Sequence, residues 1–243
     1  FSRNVYNVNN KKVEKRIDVG DEIEGYTVLA VENNKDNGMQ AMAVAPVDSN
    51  GEVDASQIVI AYAGTDFKDP LDRGTDIQQI IQGKKSQLEF YEMQTLSQHR
   101  LPSAKNKFAA DPLIPSTKIS VTTNQLETSE KFAEKIKEEY PYSDINFTGH
   151  SLGGYIAIRT AIKNKSKATV FNAPDPANTL SKDEIKFALK NPGLIKNYRN
   201  PMDPIGNFGG NRLGTAIYVD SVIAHHGFPG SAIFDVYHAI ASW

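Results

Sequence analysis

The stretch Ile145 to Ala157, reading INFTGHSLGGYIA, constrains this chain more than any other. Ile145 and Phe147 alternate as in a strand, Gly149-His150-Ser151-Leu152-Gly153 follows, and Leu152, Ile156, Ile158 and Ile162 then recur on a pattern that suits a buried helix. The order is strand, tight turn, helix, with a serine at the turn. Small residues are needed beside such a serine, because a Cβ there would strike neighbouring backbone where the turn folds back. Alone, G-x-S-x-G arises by chance in roughly one chain in a dozen of this length. The strand before it and the helix after it give it weight, since that context presents a serine oxygen at the end of a sheet. Ser151 is therefore the candidate nucleophile.

With 243 residues, the chain is long enough for a single large α/β domain spanning 1–243. Lys+Arg total 27 against Asp+Glu 29, a formal net charge of -2 with no basic block, so there is no electrostatic footprint for nucleic acid. The absence of cysteine excludes disulfides, a thiol nucleophile and thiolate metal sites, which leaves oxygen or amine nucleophiles. No apolar run reaches the roughly 18 residues of a membrane span, and the first residues hold no signal-peptide hydrophobic region. Beginning at Phe1 and ending at Trp243 straight after a helical HAIASW, the sequence reads as a processed or excised piece.

Along the chain, residues 1–24 are polar and carry KKVEKR, the pattern of a solvated N-terminal arm or short helix. YTVLAV, MQAMAVAPV and QIVIAYAG then read as antiparallel strands leading into a buried one. The acidic turn between the last two, Asp48 to Asp54, has its glycine at the fourth position where a calcium loop of the EF-hand type needs the sixth, so a hairpin turn is expected. Ile58 to Ala63 is a continuous apolar run ending in Gly64-Thr65-Asp66. Polar chemistry thus begins where the strand stops, which is where open α/β sheets bind ligands. Between 67 and 116, Ile77, Ile80 and Ile81 at helical spacing precede a stretch broken by Pro102, Pro112 and Pro115, so this segment is expected to hold a lid or flap. Asn124 to Tyr140 reads as a charged helix ended by Pro141. Strands are expected at Ala168 to Phe171, Leu194 to Tyr198 and Thr215 to Val219, and a helix opened by a capping box, Ser181 with Glu184, at Ser181 to Leu189. The alternation calls for a mainly parallel sheet with helices on both faces.

A serine hydroxyl is a poor nucleophile until an imidazole takes its proton and an acid orients that imidazole. In the strand-turn-helix context the partners follow in the order serine, acid, histidine. Asp203 fits the acid, in a loop just beyond a strand and restrained by Pro201 and Pro204. Asp175, after the preceding strand, is the alternative acid, its other role being to cap the following turn. For the base the tail offers His238, the first choice, with His226 and His225 as alternatives. His150 adjoins the serine and points to the other side of the turn, which suits a structural hydrogen bond, and His99 lies in the variable segment. The amide after the nucleophile, Leu152, is one oxyanion donor; Thr65, in the loop after an earlier strand, is placed to be the other. The His225-His226 pair lacks the further ligands a metal site needs, and nothing calls for a cofactor.

Taken together these motifs resemble the class 3 lipases, from about Gln57 onward. Tyr62-Ala63-Gly64-Thr65 matches the family's oxyanion loop, with Ala63 where arginine is usual, and Asp76 matches an aspartate some ten residues later. GHSLGG is matched in full at Gly149 to Gly154, the F-(G/N)-x-P turn at Phe171 to Pro174, and the N-x-x-D-P turn at Asn200 to Pro204. The terminal histidine with its apolar-x-x-aromatic stretch resembles His238 to Trp243, with Tyr237 where the family often has aspartate. The resemblance implies an α/β-hydrolase fold: a mainly parallel central sheet, helices on both faces and antiparallel N-terminal strands. It implies hydrolysis of a carboxylic ester through an acyl-enzyme on Ser151, with Asp203, His238, Thr65 and Leu152 in the roles above. Lipid acyl esters are the expected substrates, reached through transient contact with a membrane surface. Two other readings remain: a membrane-directed lipase toxin domain exported by a bacterium, and a non-catalytic hydrolase-like domain that binds lipid or protein.

Overall fold

The computed structural model describes residues 1–10, 12–35, 37–64, 125–201, 210 and 212–219. These form one eight-stranded sheet whose spatial order follows the chain. β1 (Glu22–Ile23), β2 (Tyr26–Asn33), β3 (Gln40–Pro46) and β4 (Gln57–Tyr62) pair antiparallel. From β4 onward the pairing is parallel, through β5 (Asp144–His150), β6 (Ala168–Phe171), β7 (Ile195–Arg199) and β8 (Thr215–Tyr218). α1 (Gln125–Glu139), α2 (Leu152–Asn164) and α3 (Lys182–Lys190) lie in the connections before β5, before β6 and before β7.

Because parallel crossovers are right-handed and the strand order never reverses, those connections all return over the same face. The packing agrees: Phe132, Ala133 and Ile136 of α1, Tyr155 and Ile156 of α2 and Ala188 of α3 share one core with Ala41, Ala43, Ile58, Ile60, Phe147 and Val170 of the strands. On the opposite face Met42 and Val44 of β3 and Ala61 of β4 meet Val5 and Val8 of a 3-10 helix, Asn4–Asn9. With both faces covered, β3 and β4 read as continuous apolar runs.

That second contact corrects the expectation of a solvated segment at 1–24: a short helix is present, but it is packed on the sheet. Val5, Val8 and Ile17 are buried, and the Phe1 ring meets Tyr26 edge-on at 4.6 Å between centroids. Three residues per turn stack Val5 and Val8 on one side of the 3-10 helix, so two valines suffice to seat it on the sheet.

The register brings the functional end of the sheet level. Tyr62 pairs with Gly149, His150 with Phe171, and Phe171 with Tyr198. Four parallel strands therefore end side by side, and the segments leaving them, from Ala63, Ser151, Asn172 and Asn200, emerge together. The helices hold this end in place: the Tyr62 hydroxyl donates to Ser129 O of α1 at 2.8 Å. Glu130 of α1 accepts from Arg159 and, at 2.8 Å, from Lys163 of α2. At the opposite end the 48–54 turn is a hairpin turn in which the Asp48 carboxylate accepts from the amides of Asn50 and Glu52, and those bonds hold it below the usual carboxylate range.

Candidate active site

Ser151 sits between β5 and α2 with φ 56° and ψ -126°, a conformation in which a residue with a Cβ is strained. Strain of this kind costs about 1–3 kcal/mol and persists only where surrounding structure over-determines it. Here the surroundings are identifiable. Ser151 N–H donates to Phe171 O at 3.0 Å, and Ser151 O accepts from Tyr155 N–H at 3.0 Å as the first bond of α2. The two glycines of the pattern let the backbones close around the turn. A Cβ on Gly149 would lie 2.4 Å from the Gly153 carbonyl, and one on Gly153 would lie 2.2 Å from Tyr62 O. G-x-S-x-G is thus a packing requirement of this particular crossing, where β4, β5 and α2 meet at van der Waals limits.

Leu152 opens α2 and is buried at 1% exposure. The first amides of a helix have no carbonyl to bond within it, and they carry the positive end of its dipole. An oxyanion formed beside Ser151 would face that end. Ser151 itself is 0% exposed and His150 is buried at the end of β5.

The segments after β6 and β7 are joined by a buried polar lattice. Asn172 holds φ 46°, and its Oδ1 accepts from Asn200 N–H at 2.8 Å. The Asn197 amide brackets Ala173, accepting from its N–H at 3.3 Å and donating to its carbonyl at 2.8 Å. Arg199, 1% exposed, donates to Ala173 O at 3.3 Å and to Gly210 O at 3.0 Å. These bonds fix the first residue of the Asn200 to Pro204 turn. Asp175 is bound into the same lattice: Oδ1 accepts from Ala177 N–H at 2.8 Å and Oδ2 from Arg212 N–H at 2.6 Å, with the Arg212 guanidinium 3.7 Å from Oδ1. Tyr155 lies close by, its hydroxyl donating to Asn178 Oδ1 at 3.2 Å; burial first of all, with Asp175 nearby, pushes its pKa up to about 12.

Of the residues singled out from sequence, the structure describes Ser151, Leu152, His150 and Asp175. Thr65, Asp76, His99, Asp203, His225, His226, His238 and the 67–116 segment lie outside the described residues. One neighbour of the turn carried no sequence signal. The Tyr6 hydroxyl accepts from Gly64 N–H at 3.0 Å, beside the serine turn, from a segment expected to be solvent-exposed.

With this geometry in view, the family comparison agrees with the motifs. The family model "Lipase (class 3)" matches residues 79–177, a span that includes the serine turn and the Asn172 to Asp175 segment. No curated protein sequence matches the chain. Among solved structures, a fungal lipase superposes with a TM-score of 0.50 at 11% identity, over 97% of this chain and 91% of its own. A mutant form of MDLA from Penicillium cyclopium gives 0.48 at 12% identity, over 95% and 81%. The Rhizomucor miehei lipase propeptide complex gives 0.42 at 15% identity over 83% of this chain, which spans 60% of that one. The first of these likenesses speaks to the fold, an α/β-hydrolase sheet. Among the described residues no helix is long and apolar enough to cross a membrane.

Proposed function

From the premise of a class 3 lipase relative with an α/β-hydrolase sheet, we propose that this chain is a serine carboxylic-ester hydrolase acting on lipid acyl esters through an acyl-enzyme. The observation that carries the reading is the strained backbone of Ser151 at the strand-to-helix turn. A fold has no structural reason to hold a non-glycine residue at φ 56°, ψ -126° inside so tight a crossing, whereas a nucleophile presented to substrate does.

In the proposed cycle Ser151 Oγ attacks the ester carbonyl while His238 takes its proton, and Asp203 orients and stabilises the imidazolium. The oxyanion accepts from the amides of Leu152 and Thr65. His238 then protonates the leaving alcohol, and water, activated by the same imidazole, releases the acid. Asp203 is preferred to Asp175 because both Asp175 oxygens are already committed to backbone amides, which suits the turn-capping role. Residues 1–243 are taken as one catalytic domain, with the cover over the buried serine assigned to 67–116.

The test is hydrolysis of nitrophenyl esters of increasing chain length, and of triacylglycerol and phospholipid, by wild type and Ser151→Ala. The variant should lose at least about 10³-fold in kcat. Equal rates in both would end the catalytic reading in favour of a binding domain. Activity confined to the shortest esters would make the protein an esterase rather than a lipase. His238→Ala should match the serine variant while His226→Ala and His225→Ala retain activity; loss in His226→Ala alone would move the base.

A further inference from the structure

We infer that Tyr6 is a positioning residue for the active site, holding the end of β4 against the serine turn through its hydroxyl; this rests on the hydrolase reading above. Gly64 N–H donates to Tyr6 Oη at 3.0 Å, a contact spanning 58 positions of sequence. Gly64 is packed tightly on the side where a Cβ would stand. A Cβ built on it would lie 2.8 Å from Tyr6 Oη, 2.9 Å from His150 O and 3.3 Å from Gly153 N. The Gly64 backbone is therefore clasped where the tyrosine hydroxyl and the serine turn come together against it.

The strength of this clasp comes from what stands behind the tyrosine. Its 3-10 helix is anchored by Val5 at 0% and Val8 at 3% exposure, packed on Met42, Val44, Ala61 and Ala63, so the hydroxyl is carried by a buried element and not by a loose tail. Beyond Tyr62 the β4 backbone has left the ladder with β5, and on its other side Ala63 N–H donates to Gln40 O of β3 at 3.0 Å. The Gly64 amide thus has a side-chain partner where the sheet no longer supplies one, one peptide before the amide of Thr65, the residue assigned as oxyanion donor. Water could satisfy the same amide without fixing its direction. A phenol on a packed helix fixes it, and displacements of about 1 Å in a reacting constellation can cost on the order of 100-fold in rate.

The experiment uses the full chain with Tyr6→Phe, which keeps the ring and removes only the hydroxyl. Using a soluble nitrophenyl ester, kcat should fall about 10- to 100-fold with KM within about twofold, because attack and oxyanion stabilisation suffer while substrate binding does not. The thermal midpoint should remain near that of wild type, and hydrogen exchange at the Gly64 amide should accelerate. A purely structural role would instead lower the thermal midpoint and leave kcat per folded molecule unchanged, and that result would overturn the inference. Unchanged exchange at Gly64 would overturn it as well. Wild type lacking esterase activity would refute the hydrolase reading itself, whereas active wild type with equally active Tyr6→Phe would refute only the role of Tyr6.

Discussion

Gly153 shows at the residue scale how closely the serine turn is specified. Its Cα faces Tyr62 O, Ala63 C and Gly64 N, all of which would lie within 2.8 Å of an added Cβ, and all are backbone atoms that no rotamer change can move. Gly153→Ala should therefore force β4 and α2 apart, costing about 3 kcal/mol or more by urea denaturation and most of the esterase activity. Gly193 is the control, since a Cβ added there would meet nothing within 4 Å and its φ lies outside the left-handed region. Gly193→Ala should change stability by less than about 0.5 kcal/mol. Similar losses in both variants would mean that helix flexibility, not the crossing, dictates the glycine. Ser151 is the complementary case. It is strained where glycine would be relaxed, so Ser151→Gly should keep or raise stability while abolishing hydrolysis, the opposite sign from the Gly153 change.

At the scale of elements, α3 illustrates a cap that sequence reveals in full. Ser181 Oγ accepts from Glu184 N–H at 3.3 Å and the Glu184 carboxylate accepts from Ser181 N–H at 2.7 Å, as the S-x-x-E spacing indicated. Burial by itself would raise the Glu184 pKa, but the hydrogen bonds from Ser181, with Lys163 and Arg159 nearby, outweigh it and leave the group below its ordinary value. A carboxyl whose folded pKa is depressed adds stability that is present above its unfolded pKa and is lost as pH falls through the folded one. Ser181→Ala should cost about 1 kcal/mol at neutral pH through loss of the hydroxyl cap, whereas Glu184→Ala, which removes the titrating carboxylate, should show a gap from wild type that narrows below about pH 4. Urea denaturation at both pH values measures this, with kcat unaffected. The cap and α1 were legible because each is local, its partners within four residues or its apolar face repeating at the helical period, and the serine turn was legible because the glycines that its distant neighbours require fall within one short motif. The lattice of Asn172, Asn197, Arg199 and Asn200 was not, since it joins side chains to backbone across separate strands and leaves no periodic trace. Asp175 and Asp203 look alike in sequence, both in proline-rich turns after strands, so the pattern of residues did not reveal that both Asp175 oxygens are bound by backbone amides.

For the molecule as a whole, the sheet has two unlike faces. The strand order alone assigns α1, α2 and α3 to one of them, so β2, β3 and β4 would expose Val28, Met42, Val44 and Ala61 on the other unless something covered it. The N-terminal segment does so, and this was hidden in the sequence because Phe1, Val5 and Val8, although spaced as on one face of a helix, are a short apolar set among polar and charged residues. The same segment brings Tyr6 to Gly64, so covering the second face and aligning the end of β4 are one structural event. Val5, fully buried and remote from the serine turn in sequence, separates the two accounts of this segment. If residues 1–24 were a solvated arm, Val5→Ala would be silent. With Val5 packed in the second core, losing two methyl groups should cost about 1.5–3 kcal/mol, the transfer loss plus the cavity left behind. Lys12→Ala, at an exposed position of the same segment, should change stability by less than about 0.5 kcal/mol. Urea denaturation of the two variants beside wild type decides the matter, because a solvated arm predicts equal midpoints for all three and a packed one predicts that Val5→Ala alone falls.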